Sequence, residues 1–133
     1  KHGLPKKPDD LHKHTIISAN SVMASPEWKL IVNGEQHAVK LQSRLNTTTN
    51  DSAIAAALNG FGLTRLLSYQ VAEFLRDGQL KTVLSQCESA PLPIHVVHRE
   101  GRRASKKARA FIDLAVERLR ANTATNWIDA YEK

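Results

Sequence analysis

The sequence predicts an α/β domain built on an open sheet, and two observations carry that expectation. Residues 44–84, RLNTTTNDSAIAAALNGFGLTRLLSYQVAEFLRDGQLKTVL, alternate strand-like and helix-like patterns. They read as a polar strand end, a helix opening on Asn50-Asp51, an Asn-Gly-x-Gly break at 59–62 and an apolar strand. A second helix stopped at Asp77-Gly78 and a short strand ending at Leu84 follow. The second observation is that the first strand runs directly into a helix N-terminus. In an open α/β sheet this places backbone N–H donors and short polar side chains at the crevice where ligands bind. Alone, the stretch describes half of a small-molecule cleft, with no catalytic apparatus evident in it.

The other elements follow in order. Pro8-Asp9-Asp10-Leu11 starts a short helix with acids at its N-terminus. Thr15-Ile16-Ile17 is a short strand entering the loop Ser18-Ala19-Asn20-Ser21. Two alternating strands, 28–32 and 36–41, flank Asn33-Gly34. That dipeptide is the strongest short-range hairpin signal, because a type I′ turn needs positive φ at both central residues. In the helix at 51–59, Ile54 and Leu58 share a face, and Ala53, Ala55, Ala56 and Ala57 let it lie close to a sheet. Gly60 and Gly62 end it, and 63–67 reads as a buried strand. A helix over 69–75 closed by Asp77-Gly78 and a short strand through Leu80, Val83 and Leu84 complete this half.

After the Pro-containing crossover at 88–93 the pattern changes. Residues 94–97 read as a strand. Ser105 caps the longest helix, with Ala108, Phe111, Ile112, Ala115, Val116 and Leu119 on one face. The tail beyond Ala121 is polar until Trp127-Ile128 and has no assigned place.

Composition narrows the function classes. A chain of 133 residues with 41% hydrophobic and 24% charged residues supports one packed domain or part of a larger one. Met23 is the only methionine, so we expect the natural chain to begin upstream of Lys1. No stretch approaches the ~18 apolar residues of a membrane span. The single cysteine, Cys87, excludes an internal disulfide and a zinc-finger spacing, and reads as a free thiol in a loop. A reducing, cytoplasmic location fits. The net charge of +6 concentrates in 99–109, where Arg99, Arg102, Arg103, Lys106, Lys107 and Arg109 face only Glu100. No aromatic residue interleaves to stack on bases, so the cluster reads as a solvated face or a subunit contact ahead of a nucleic-acid contact.

Catalytic and metal chemistry find little support. His12 and His14 would splay apart on a helix, and His95 and His98 would point to opposite faces of a strand, so neither pair suggests a metal site. No nucleophile elbow, His-Glu-x-x-His or phosphate loop occurs. Asn59-Gly60-Phe61-Gly62 ends a helix where a dinucleotide fingerprint would begin one. We expect neither an enzyme nor a bound cofactor.

Taken in order, these motifs resemble the C-terminal part of the effector-binding domain of LysR-type transcriptional regulators. KHGLPKKPDDLHKH is similar to the family's His-Gly-x-Pro, Pro-x-Asp-Leu and following His. A Trp-x-Leu strand before the Asn-Gly hairpin comes next. Residues 48–84 resemble its Asn-Asp helix, Gly-x-Gly break and Gly-x-Leu strand, and 91–119 its final strand and Ser-x-Lys-x-Arg-x-Phe helix. The resemblance covers residues 1 to about 120, with 20–27 and the tail poorly matched.

The resemblance implies a type II periplasmic-binding-protein-like fold of two α/β lobes around a cleft. Residues 1–90 would form the second lobe, 91–120 the hinge crossover and the returning strand and helix of the first, and 121–133 a tail. It also implies a cytoplasmic homo-oligomer, dimer or tetramer, sensing a small anionic effector. DNA would be contacted only through a winged helix-turn-helix absent from this sequence. The alternative is an exported solute-binding protein of a transport system, which shares the fold. At positions corresponding to the family's effector contacts stand Ser18, Asn20 and Ser21 in the first loop and Thr48, Thr49, Asn50 and Asp51 at the helix start. The helix N-terminus suits an anion. Asp51 argues partly against one, and Asn50 could instead be a simple N-cap. The strand at 94–97 and helix at 105–120 would lack their first-lobe sheet, so we expect association through them or repacking.

Overall fold

Pro8 costs no hydrogen bond in a first turn, where its missing N–H would be unpaired anyway. It opens a 3₁₀ turn at Pro8–Lys13 in this computed structural model, which describes residues 3–19, 27–99 and 105–121. Asp10 closes the turn. Its Oδ2 accepts from the amides of Lys6 at 3.2 Å and Lys7 at 3.3 Å, and its Oδ1 from the Lys13 ammonium at 3.0 Å. The Lys13 bond first, then the Lys6 amide, hold the Asp10 carboxyl below its ordinary pKa. The turn seats Leu11, which is fully buried.

The chain separates into two compact units, Lys1–Ala90 and Pro91–Lys133. In the first, β1 (Ile16–Ala19), β4 (Ser43–Thr47) and β5 (Leu63–Thr64) form a parallel sheet in the order β4-β1-β5. Ile17 pairs with Leu45 on one side and Thr64 on the other. Central β1 is covered on both faces, which explains why Ile16 and Ile17 are apolar in succession. Alternate side chains serve two cores. Ile16 joins Leu11, Val39, Leu41, Leu84 and Cys87. Ile17 and Ala19 meet Ala53 of helix α1 (Asn50–Leu58), with Leu45, Ala56 and Ala57 at the margin.

The hairpin β2 (Glu27–Val32) and β3 (Glu35–Lys40) turns at Asn33 and Gly34, whose φ values of 52° and 83° are those the dipeptide requires. Trp28, Leu30 and Val32 alternate onto the first core, with Val39 opposite Trp28. Gly62 is required by a close approach. A Cβ there would collide with the carbonyl oxygen of Thr15, which accepts the Leu63 amide at 2.9 Å.

Several expectations are corrected. Ser18 and Ala19 extend β1 rather than opening the loop. The strand expected over 63–67 stops at Thr64, because Leu67 becomes the N-cap of α2 (Ser68–Arg76) with its amide held by Gln70 Oε1 at 3.1 Å. No strand forms at 80–84. The amides of Gln79 and Leu80 both close onto the Phe74 carbonyl, and the backbone then turns into a 3₁₀ turn at Ser85–Cys87. Cys87 is a core residue, 6% exposed, rather than a loop thiol.

In the second unit, 94–97 pairs with no strand among the described residues and Val97 is 87% exposed, since apolar alternation yields a strand only beside a partner ladder. Helix α3 (Lys106–Ala121) begins where Ser105 Oγ accepts the Ala108 amide at 3.2 Å. It buries no residue, and Phe111 is 71% exposed. Residues 122–133, including Trp127-Ile128, lie outside the described residues.

Two measurements check this account. Urea unfolding is expected to show Leu11→Ala losing ~3 kcal/mol through an unfilled cavity, and Gly62→Ala ~2 kcal/mol through overpacking. The depressed Asp10 carboxyl contributes stability at neutral pH that is lost as pH falls below the ordinary value of 3.8. Asp10→Asn is therefore expected to flatten the acid limb of the urea-midpoint profile.

Candidate ligand-binding site

β1 runs outward through the hairpin to β4, and the chain then returns through α1 to β5 on the other side of β1. Chain directions reverse about the carboxyl ends of β1 and β4, the place where open α/β sheets receive ligands. Ala19 pairs with Thr47 there, and α1 starts three residues later.

Thr47 joins the two elements. Its hydroxyl lies 3.0 Å from the Thr49 carbonyl and 3.4 Å from the Ser18 carbonyl, and its one proton serves the nearer oxygen. Thr49, not Asn50, is the N-cap. Its Oγ1 accepts the Ser52 amide at 3.2 Å and donates to Ser52 Oγ at 2.9 Å. Asn50 occupies the first helical position, and its Oδ1 is buried with no hydrogen-bond partner. Such an oxygen forgoes roughly 1–3 kcal/mol until a donor reaches it. Asp51 is exposed in the first turn, where its charge complements the helix dipole.

Of the expected site residues, Ser18 and Thr49 therefore meet at Thr47, and Asn50 follows the cap as the first helical residue. Thr48 and Asp51 are exposed beside them, and Asn20 and Ser21 lie outside the described residues. Two hydroxyls escaped the sequence reading. Thr47 is the last strand residue before the polar run that drew attention, and Thr64 is a lone hydroxyl in an apolar run. Thr64 Oγ1 is also buried without a partner, at the residue paired with Ile17.

Elsewhere the described residues contain no group of three His, Cys, Asp or Glu side chains able to hold a metal, and no helix long and apolar enough to cross a membrane. In the basic cluster Arg99, Lys106, Lys107 and Arg109 are exposed, while Arg102 and Arg103 lie outside the described residues.

A family model described as the LysR substrate binding domain matches residues 1–120. An HTH-type transcriptional repressor of Pseudomonas aeruginosa is 30% identical over 95 residues, covering 71% of this chain and 30% of the repressor. YhjC, an HTH-type transcriptional regulator of Escherichia coli K12, is 28% identical over 113 residues, or 83% and 38% of the two chains. The regulatory domain of AphB from Vibrio vulnificus superposes with a TM-score of 0.67 at 24% identity, covering 87% of this chain and 57% of that one. The regulatory domain of CrgA from Neisseria meningitidis gives 0.68 at 18% identity, covering 89% and 58%. These structures share the type II periplasmic-binding-protein-like α/β fold. The chain spans between 30% and 38% of the length of those two curated relatives. The match over residues 1–120 supplies the identity: this chain belongs to the LysR substrate-binding domain family.

Proposed function

We propose that the chain is the effector-sensing part of a LysR-type transcription regulator. The family match over residues 1–120 carries the reading, and the HTH-type relatives favour it over an exported solute-binding protein. In this reading 1–90 is the second lobe, 91–120 the crossover and returning helix of the first, and 121–133 a tail. DNA contact falls to a helix-turn-helix domain outside these residues, and the regulator acts in the cytoplasm as a dimer or tetramer without catalysis. An effector that binds one closure state better than another shifts the population by its differential affinity, and subunit packing carries that shift to the DNA-binding arms.

The effector seats at Ser18, Asn20, Ser21, Thr48, Thr49, Asn50 and Asp51. First-turn amides of α1 suit a carboxylate or other anion, and the unpartnered Asn50 oxygen suits a donor on the same molecule. A small hydroxy or amino acid carries both groups.

Because Thr49 caps α1, Thr49→Ala is expected to cost ~1 kcal/mol of stability whatever its part in binding, and Thr49→Ser far less. Asn50 separates the roles. In the full-length parent, Asn50→Ala is expected to leave unliganded stability unchanged or raised while moving the effector dose–response midpoint about tenfold, ~1.4 kcal/mol. An unaltered midpoint removes Asn50 from the site. The upstream coding sequence tests the wider reading: a signal peptide there, without a helix-turn-helix, turns the assignment to the transport class. Light scattering on the purified 133-residue chain is expected to show association through the exposed α3 face. A strict monomer at high concentration contradicts it.

A further inference from the structure

Two residues other than glycine adopt positive φ among the described residues, and only one is accounted for by its turn. Asn33 sits in the type I′ hairpin, a position that suits asparagine. Leu84, at φ 59° and ψ 34°, does not sit in such a turn. A bulky apolar side chain in the left-handed region is strained, and such a residue persists only where surrounding packing over-determines it.

The packing that holds Leu84 is visible. Its side chain is 6% exposed and belongs to the first core with Leu11, Val39, Leu41 and Cys87. Its carbonyl accepts the Cys87 amide at 2.8 Å, and the Ser85 carbonyl accepts the Glu88 amide at 3.2 Å. Gln86 Nε2 reaches the Lys6 carbonyl at 3.3 Å, tying the turn back to the start of the chain. Three residues after the turn the chain leaves the first unit, whose boundary falls between Ala90 and Pro91. The strained residue thus stands at the root of the crossover, held by two buried side chains and three hydrogen bonds.

We propose that the 3₁₀ turn Ser85–Cys87 is a strained clip that opens as a local unit, releasing Leu84 from its left-handed backbone, drawing Cys87 out of the core and lengthening the free crossover. Opening relieves the backbone strain and leaves the β4-β1-β5 sheet paired, so it needs less than complete unfolding does, and sub-global openings of this kind concentrate where few interactions hold a segment. The proposal goes beyond effector sensing, and its test uses no effector.

Cys87 is the only thiol in the chain and reports the opening directly. Labelling with a disulfide reagent such as DTNB, followed against urea, is expected at low urea to be at least tenfold faster than the global unfolding equilibrium permits and nearly independent of urea. Leu84→Ala keeps the left-handed strain and loses the anchoring side chain, so its labelling is expected to rise about tenfold further. Leu84→Gly loses the same side chain but not the preferred backbone, so it should label more slowly than Leu84→Ala, reversing the usual order of these residues. Wild-type labelling that follows global unfolding at every urea concentration overturns the clip, even if neither variant folds. Faster labelling of Leu84→Gly than of Leu84→Ala overturns the strain.

Discussion

Everything in the first unit depends on β1 having no solvent side. β4 pairs along all of Ile16–Ala19 and β5 along Ile16 and Ile17, and the strand is covered above and below the sheet. The two isoleucines point to opposite faces, so one strand nucleates two separate cores. The 3₁₀ turn, the hairpin and the Ser85–Cys87 turn serve one face, and α1 serves the other. A polar replacement at Ile16 or Ile17 would strand an unpaired group in one core and loosen the elements assembled on it.

What was legible in the sequence was whatever local chemistry decides. Asn33-Gly34, Pro8, Ser105 and the alanine-rich helix each declare their geometry through φ preference, a missing N–H, a capping hydroxyl or small size, and each element formed. The strand readings over 63–67, 80–84 and 94–97 fell short for a common reason. An apolar run becomes a strand only where another strand supplies its hydrogen bonds, and that partner is not encoded in the run. Leu67, Gln79 and Leu80 spend their amides on helix ends instead. The depth of Cys87 was likewise hidden, because it depends on residues more than forty positions away, Val39 and Leu41 among them.

The candidate site divides along the same line. The residue pattern drew attention to the helix start at Asn50-Asp51, and family resemblance supplied Ser18, Asn20, Ser21, Thr48 and Thr49 as candidates beside it. The division of labour at the helix start came only from geometry: Thr49 caps, Asn50 stands unpartnered, and the unremarked Thr47 links strand to helix.

In the proposed site, the orphan oxygen of Asn50 makes attraction itself selective. A ligand seated at the head of α1 with a donor for that oxygen recovers an ordinary hydrogen bond. One without a donor leaves the oxygen as unpaired as it already is and forgoes the roughly 1–3 kcal/mol that pairing would return. In that reading, near-copies are separated by which of them carries the donor. The same reading makes the preference a property of one position, since the helix cap rests on Thr49 and not on Asn50.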